Sequence, residues 1–215
     1  FVSDDAIYFS IHFSFYDIVG KLDLNGTLLW SRGVASGSPP FSTANNIVQG
    51  LFEKNGFVYF ASNTVKNGPS GNNISGTAIT QLNDANGSLI KSTLYSIVPD
   101  TYAKGFVSHY LYPFKDGTFS LTGYIAVPVP NNQIVSDMSS RFNLQLDANL
   151  NPLMAYYYTT NITPDNSFQF DMNTQKESVF QYNKQSSLEK YFVSFNSNQQ
   201  LLRSRKFSVT TNPFT

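Results

Sequence analysis

One short pattern recurs four times along this chain and constrains its fold more than any other feature. An apolar residue followed by Asp or Asn closes one segment, a turn rich in Asn and Gly follows, and two apolar residues open the next. The clearest copy is Leu22-Asp23-Leu24-Asn25-Gly26-Thr27-Leu28-Leu29-Trp30. Weaker copies are Leu82-Asn83-Asp84-Ala85-Asn86-Gly87-Ser88-Leu89-Ile90, Leu146-Asp147-Ala148-Asn149-Leu150-Asn151-Pro152-Leu153-Met154 and Phe195-Asn196-Ser197-Asn198-Gln199-Gln200-Leu201-Leu202. Asn-Gly between apolar runs signals a two-residue hairpin of type I′, whose central residues both need positive φ. A hairpin returning about every 50–60 residues marks a repeat architecture.

With that hairpin as a ruler, each unit divides into four strands, A to D. In the second unit these are 47–53, 57–62, 77–82 and 88–95, with a long loop at 63–76. The third has 107–114, 118–125, 141–146 and 153–158, with a loop at 126–138. The fourth has 168–171, 178–182, 191–195 and 201–209. The first keeps 6–13, 17–22 and 27–33, and only Phe1-Val2 stands where strand A belongs. Units therefore fall at 1–33, 34–95, 96–159 and 160–209, and 210–215 matches the start of another connection. Ile7, Phe9, Ile11 and Phe13 alternate with Tyr8, Ser10 and His12, and neither set is strongly polar, so both faces are expected to be covered. The expected fold is all-β: four-stranded antiparallel blades of a β-propeller, part of a larger propeller or repeat array. A string of β-sandwiches is the alternative.

Composition narrows the partners. Fourteen basic and fourteen acidic residues cancel, and charged residues are 13%, about half the usual share for soluble domains. No basic footprint for nucleic acid and no apolar run long enough to cross a membrane as a helix is present. Cysteine is absent, which excludes disulfides and thiolate chemistry. The chain begins at Phe1 and is expected to be a processed product or a segment of something longer.

Lys21-Leu22-Asp23 with Asn25-Gly26 and Leu28-Leu29-Trp30 resembles the blade ending of quinoprotein-like propellers. The stretch 56–62, with Gln81-Leu82-Asn83 and 87–95, is similar to β-propeller repeats of secreted and surface proteins. That resemblance implies propeller architecture and an extracellular or cell-surface setting. It carries no catalytic residue and no cofactor onto this chain.

Residues with chemical potential are few. His12 and His109 are the only histidines; a catalytic or metal pair would need them on one surface of adjacent blades, and ordinary packing or surface positions are expected instead. Asp147-Ala148-Asn149-Leu150-Asn151 places oxygen side chains at alternate positions, as calcium loops do. It lacks the bend Gly and the distal carboxylate, so a tight turn is expected. No catalytic and no metal residue is assigned. N-glycosylation sequons begin at Asn25, Asn73, Asn86 and Asn161, with Asn73 and Asn161 favoured because they lie in loops. Tyr156-Tyr157-Tyr158 offers stacking rings for a sugar, although a strand buried on both faces is the expected setting. The loops 33–46, 63–76 and 126–138 are expected to build one surface.

The expected function is a non-catalytic extracellular scaffold or interaction module, of the kind that builds a surface assembly or filament. A carbohydrate-binding lectin-like propeller, or an enzyme propeller whose active site lies outside these residues, is the alternative. Expected partners are proteins, further blades of the same chain or other copies of it. The Ala6–Phe13 edge is expected to be covered by chain outside these residues or by a neighbouring subunit.

Overall fold

The computed structural model describes residues 1–13, 16–35, 41–42, 48–67, 73–95, 105–129, 133–159, 169–183 and 189–208. They form four antiparallel sheets, and among the described residues there is no helix. Sheet 1 holds β1 (Ala6–Phe13), β2 (Tyr16–Asp23) and β3 (Leu28–Ala35). Sheet 2 holds β4 (Phe41–Ser42), β5 (Val48–Lys54), β6 (Phe57–Asn67), β7 (Asn73–Asn83) and β8 (Leu89–Tyr95). Sheet 3 holds β9 (Gly105–Pro113), β10 (Phe119–Val129), β11 (Gln133–Leu146) and β12 (Pro152–Thr159). Sheet 4 holds β13 (Gln169–Met172), β14 (Ser178–Asn183), β15 (Glu189–Phe195) and β16 (Leu201–Ser208). Each is an up-and-down meander of sequence neighbours. Sheet 2 adds β4, which lies beside Val65 and Lys66 of β6. The missing strand of sheet 1 is represented by a single bridge, Val2 to Ile7, closed by bonds between the backbones of Phe1 and Tyr8.

The recurrent turn closes differently from the type I′ expectation. At each C–D turn one residue, not two, has positive φ: Gly26 (84°), Gly87 (67°), Leu150 (65°) and Gln199 (59°). Three of the four are three-residue loops, and each is followed by a register shift in the flanking strands, as in a type I turn ending in a left-handed residue. The preceding Asp or Asn explains why. Asp23 Oδ1 accepts the N–H groups of Asn25 (2.9 Å) and Thr27 (2.7 Å), and Asp147 Oδ1 does the same for Asn149 and Asn151. Asn196 repeats it with Asn198 and Gln200. The side chain holds the turn so firmly that Leu and Gln are carried into a conformation normally left to Gly. The type I′ pair occurs elsewhere, at Asn55 (54°) and Gly56 (79°) between β5 and β6.

The expected long loops at 63–76 and 126–138 are corrected. β6 and β7 stay paired out to Asn67 and Asn73, and β10 and β11 out to Val129 and Gln133. β-branched residues in the arms, such as Thr64, Val65 and Ile74 and then Ile125, Val127, Ile134 and Val135, favour the ladder, and Pro128 sits within it opposite Ile134. The loop at 33–46 is likewise shortened, by β3 and β4.

Alternation decides how the sheets meet. The face each sheet turns toward the following one is here its forward face. Tyr8, Val19 and Trp30 on the forward face of sheet 1 pack with Val58, Phe60 and Leu82 of sheet 2. On the other side of sheet 2, Phe52, Tyr59, Ala61 and Ile79 pack with Phe119, Leu121, Phe142 and Leu144 of sheet 3. Tyr112 and Phe114 of sheet 3 then meet Met172, Phe180 and Phe195 of sheet 4. Each fully buried Phe or Leu in these layers contributes about 2–3 kcal/mol.

Candidate functional site

The polar chemistry of the described residues concentrates at the junctions between sheets. At the first, the C–D turn of sheet 2 receives four side chains from sheet 1. Tyr8 Oη and Lys21 Nζ donate to the two carboxylate oxygens of Asp84, at 2.7 and 2.6 Å. Trp30 Nε1 donates to the Asp84 carbonyl (2.7 Å), and Arg32 donates to the carbonyls of Gly87 (3.0 Å) and Asn86 (2.9 Å). Burial, reinforced by the Asp84 carboxylate, pushes the Tyr8 phenol well above its ordinary range.

The second junction repeats the device with other residues. Lys91, which occupies in β8 the register position of Trp30 in β3, donates to the Asn149 carbonyl at 2.7 Å. Tyr95 Oη donates to the Leu150 carbonyl at 2.5 Å, and burial raises its phenol strongly. Lys54 Nζ bonds the Phe114 carbonyl and lies 5.2 Å over the Phe119 ring. Desolvation lowers its ammonium. At the third junction Lys176 bonds Asp116 Oδ2 (2.8 Å) and lies 5.1 Å over the Phe114 ring. Lys176 together with Thr118 holds the Asp116 carboxyl far below the usual carboxylate range.

These ties are hard to read in the sequence, because they join residues 54 to 76 positions apart. The one available signal is the extra residue in the second turn: Leu82 pairs Leu89, whereas Leu22 pairs Leu28. That insertion lengthens the turn that carries Asp84.

His12 and Asp17 face each other across β1 and β2, with Nδ1 and Oδ1 2.6 Å apart. The imidazole is half exposed and the carboxylate buried, its Oδ2 without a hydrogen-bond partner among the described residues. An Asp-oriented His suits proton transfer, but the structure does not bring His109 to it. His109 lies in β9 of sheet 3, beyond sheet 2, and its side chain is outside the described residues. No group of three or more His, Cys, Asp or Glu among the described residues could hold a metal. Asp147 is engaged as a turn residue: Oδ1 takes two backbone donors and Oδ2 takes Asn151 Nδ2 at 2.9 Å.

Asn25 and Asn86 are both exposed on their turns, and the Asn86 carbonyl accepts from Arg32 at the first junction. Asn73 is not in a loop; it opens β7 opposite Asn67. Asn161 lies outside the described residues. The tyrosine run is not in a strand buried on both faces either. β12 is an outer strand with Tyr156 half-buried and Tyr157 53% exposed, because β12 pairs only with β11. Two shallow apolar grooves of about 390 and 230 Å³ lie on sheet 4, lined by Val179, Ser194 and Arg203 in common. No helix among the described residues is long and apolar enough to cross a membrane.

No protein-family model and no curated protein sequence matches the chain. Among solved structures, a protein of unknown function from Bacteroides caccae is similar over 94% of this chain, at 16% identity and a TM-score of 0.40. The chain spans 57% of that protein's length. A quinonprotein alcohol dehydrogenase-like protein from Bacteroides thetaiotaomicron is similar over 96% of this chain and 67% of its own, at 9% identity and a TM-score of 0.24. Neither likeness is close enough to transfer an activity to this chain.

Proposed function

We propose that this chain is a non-catalytic scaffold of β-propeller blades, acting as an interaction module at an extracellular surface. One observation carries the reading: sheets 2 and 3 are each packed on both faces, by the sheets before and after them in sequence. Blades require that arrangement, whereas each sheet of a sandwich has only one packed face. Lys21, Asp84, Lys54 and the Asp116–Lys176 pair serve as ties between sheets. A crystal structure of the chain tests the reading. Sheets fanned in sequence order about a common axis are expected, and two separate two-layer sandwiches would overturn it.

A lectin role is favoured by one observation, the exposed Tyr157 beside Tyr156 on β12. A glycan array decides it: binding abolished by Tyr157→Ala supports the lectin, and an array without binders removes it. In an extracellular setting Asn25 is the described sequon best placed to carry a glycan, readable as added intact mass.

A further inference from the structure

The two end sheets expose complementary faces, and we propose that they dock head to tail, sheet 4 of one copy against sheet 1 of a second. This rests on the stacked-blade reading above. At each of the three junctions the forward face of one sheet covers the rear face of the next. The rear positions Val58 and Phe60 of sheet 2 are 0% exposed, and Phe180 of sheet 4 is 4% exposed. Sheet 1 has Ile7, Phe9 and Ile11 at the register positions of Val58, Phe60 and Ser62, with Ile11 47% exposed against 7% for Ser62, and Ile7 and Phe9 half-buried. Its forward face is covered, since Tyr8 and Val19 are 2% and 0% exposed.

Sheet 4 is the mirror case. Its rear face is buried, while on the forward face Val179 and Phe207 are 42% and 47% exposed and Phe192 packs edge-on against Phe207 at 5.3 Å. Arg203 occupies the register position of Trp30 and Lys91, and Arg205 that of Arg32. Trp30, Arg32 and Lys91 all donate to carbonyls of the next sheet's C–D turn. Both arginines are exposed, and Arg203 lines the groove beside Val179. The turn that would meet them, Asp23 to Thr27 of sheet 1, is exposed from Leu24 onward, and Asp4 and Asp5 lie exposed on the same sheet's A–B turn. Basic donors and apolar rings at one end thus match acidic turns and an apolar face at the other. The contact is heterologous, so it yields a closed ring or an open filament according to its rotation.

Sedimentation velocity of the 215-residue chain across a concentration series tests this. Wild type is expected to form dimers or larger species. Arg205→Glu/Phe207→Asp, altering only the sheet 4 face, and Ile11→Asp, altering only the sheet 1 face, should each weaken association at least about tenfold. Mixed one to one, the two variants still offer one intact face each and should form a dimer that grows no further. Wild type that stays monomeric throughout overturns the proposal, as does association surviving both variants or a mixture that fails to dimerise. Circular dichroism and thermal melting of the same samples separate this from the fold: a β-rich, cooperatively melting monomer removes the docking but leaves the stacked sheets intact.

Discussion

At the residue scale, the left-handed position of the C–D turn shows how equivalent sites come to differ. Gly26 and Gly87 both have positive φ, but a Cβ on Gly26 meets nothing within 4 Å, while one on Gly87 would lie 2.5 Å from Trp30 Cε3. Gly26→Ala should therefore cost only the conformational strain, about 1–2 kcal/mol. Gly87→Ala must also displace the indole and should cost about 2–4 kcal/mol; urea unfolding of the two variants measures the difference. Asp84 is the other sensitive position. Asp84→Ala strands Lys21, which is 7% exposed, and should destabilise by about 2–4 kcal/mol. Adding Lys21→Met should recover part of that loss, a non-additivity that a double-mutant cycle reads directly.

At the element scale, the strands of the four meanders were legible because alternation, turn residues and hairpin spacing agree with one another. The sequence misled at the loops expected over 63–76 and 126–138: strand pairing carries Gly76 and Pro128 inside the hairpins. The turn type was misjudged because Asx side-chain bonds, not Asn-Gly propensity, govern the C–D turns. The third junction is tied turn to turn by Asp116 and Lys176, and this gives it an acid sensitivity. A carboxyl with a depressed folded pKa stabilises fully above its unfolded value, near pH 4, and loses that contribution as pH falls toward the folded value. The Asp116 carboxyl should titrate well below the other carboxylates by NMR, and Lys176→Met should return it toward the ordinary range. The contribution of this pair to stability should fade below about pH 4 and be absent in Lys176→Met at any pH.

At the scale of the whole molecule, protection should follow packing, not position along the chain. Amide exchange should be slowest in β6, β7, β10 and β11, the inner strands of the two sheets packed on both faces, and faster in β1 and β16. If β16 were as protected as β10, the end sheet would not be open as described. The junction ties, and with them the candidate site, were illegible in the sequence because strand periodicity constrains only neighbours within a sheet. The constant direction of stacking has a bearing on ancestry. Because every unit brings both halves of the same joint, duplicating or deleting a whole unit leaves matching surfaces on either side of the cut. Such a chain can change length in single genetic events, and each joint can then drift in its own chemistry, an indole in one place and an ammonium in another, without any new contact having to be invented.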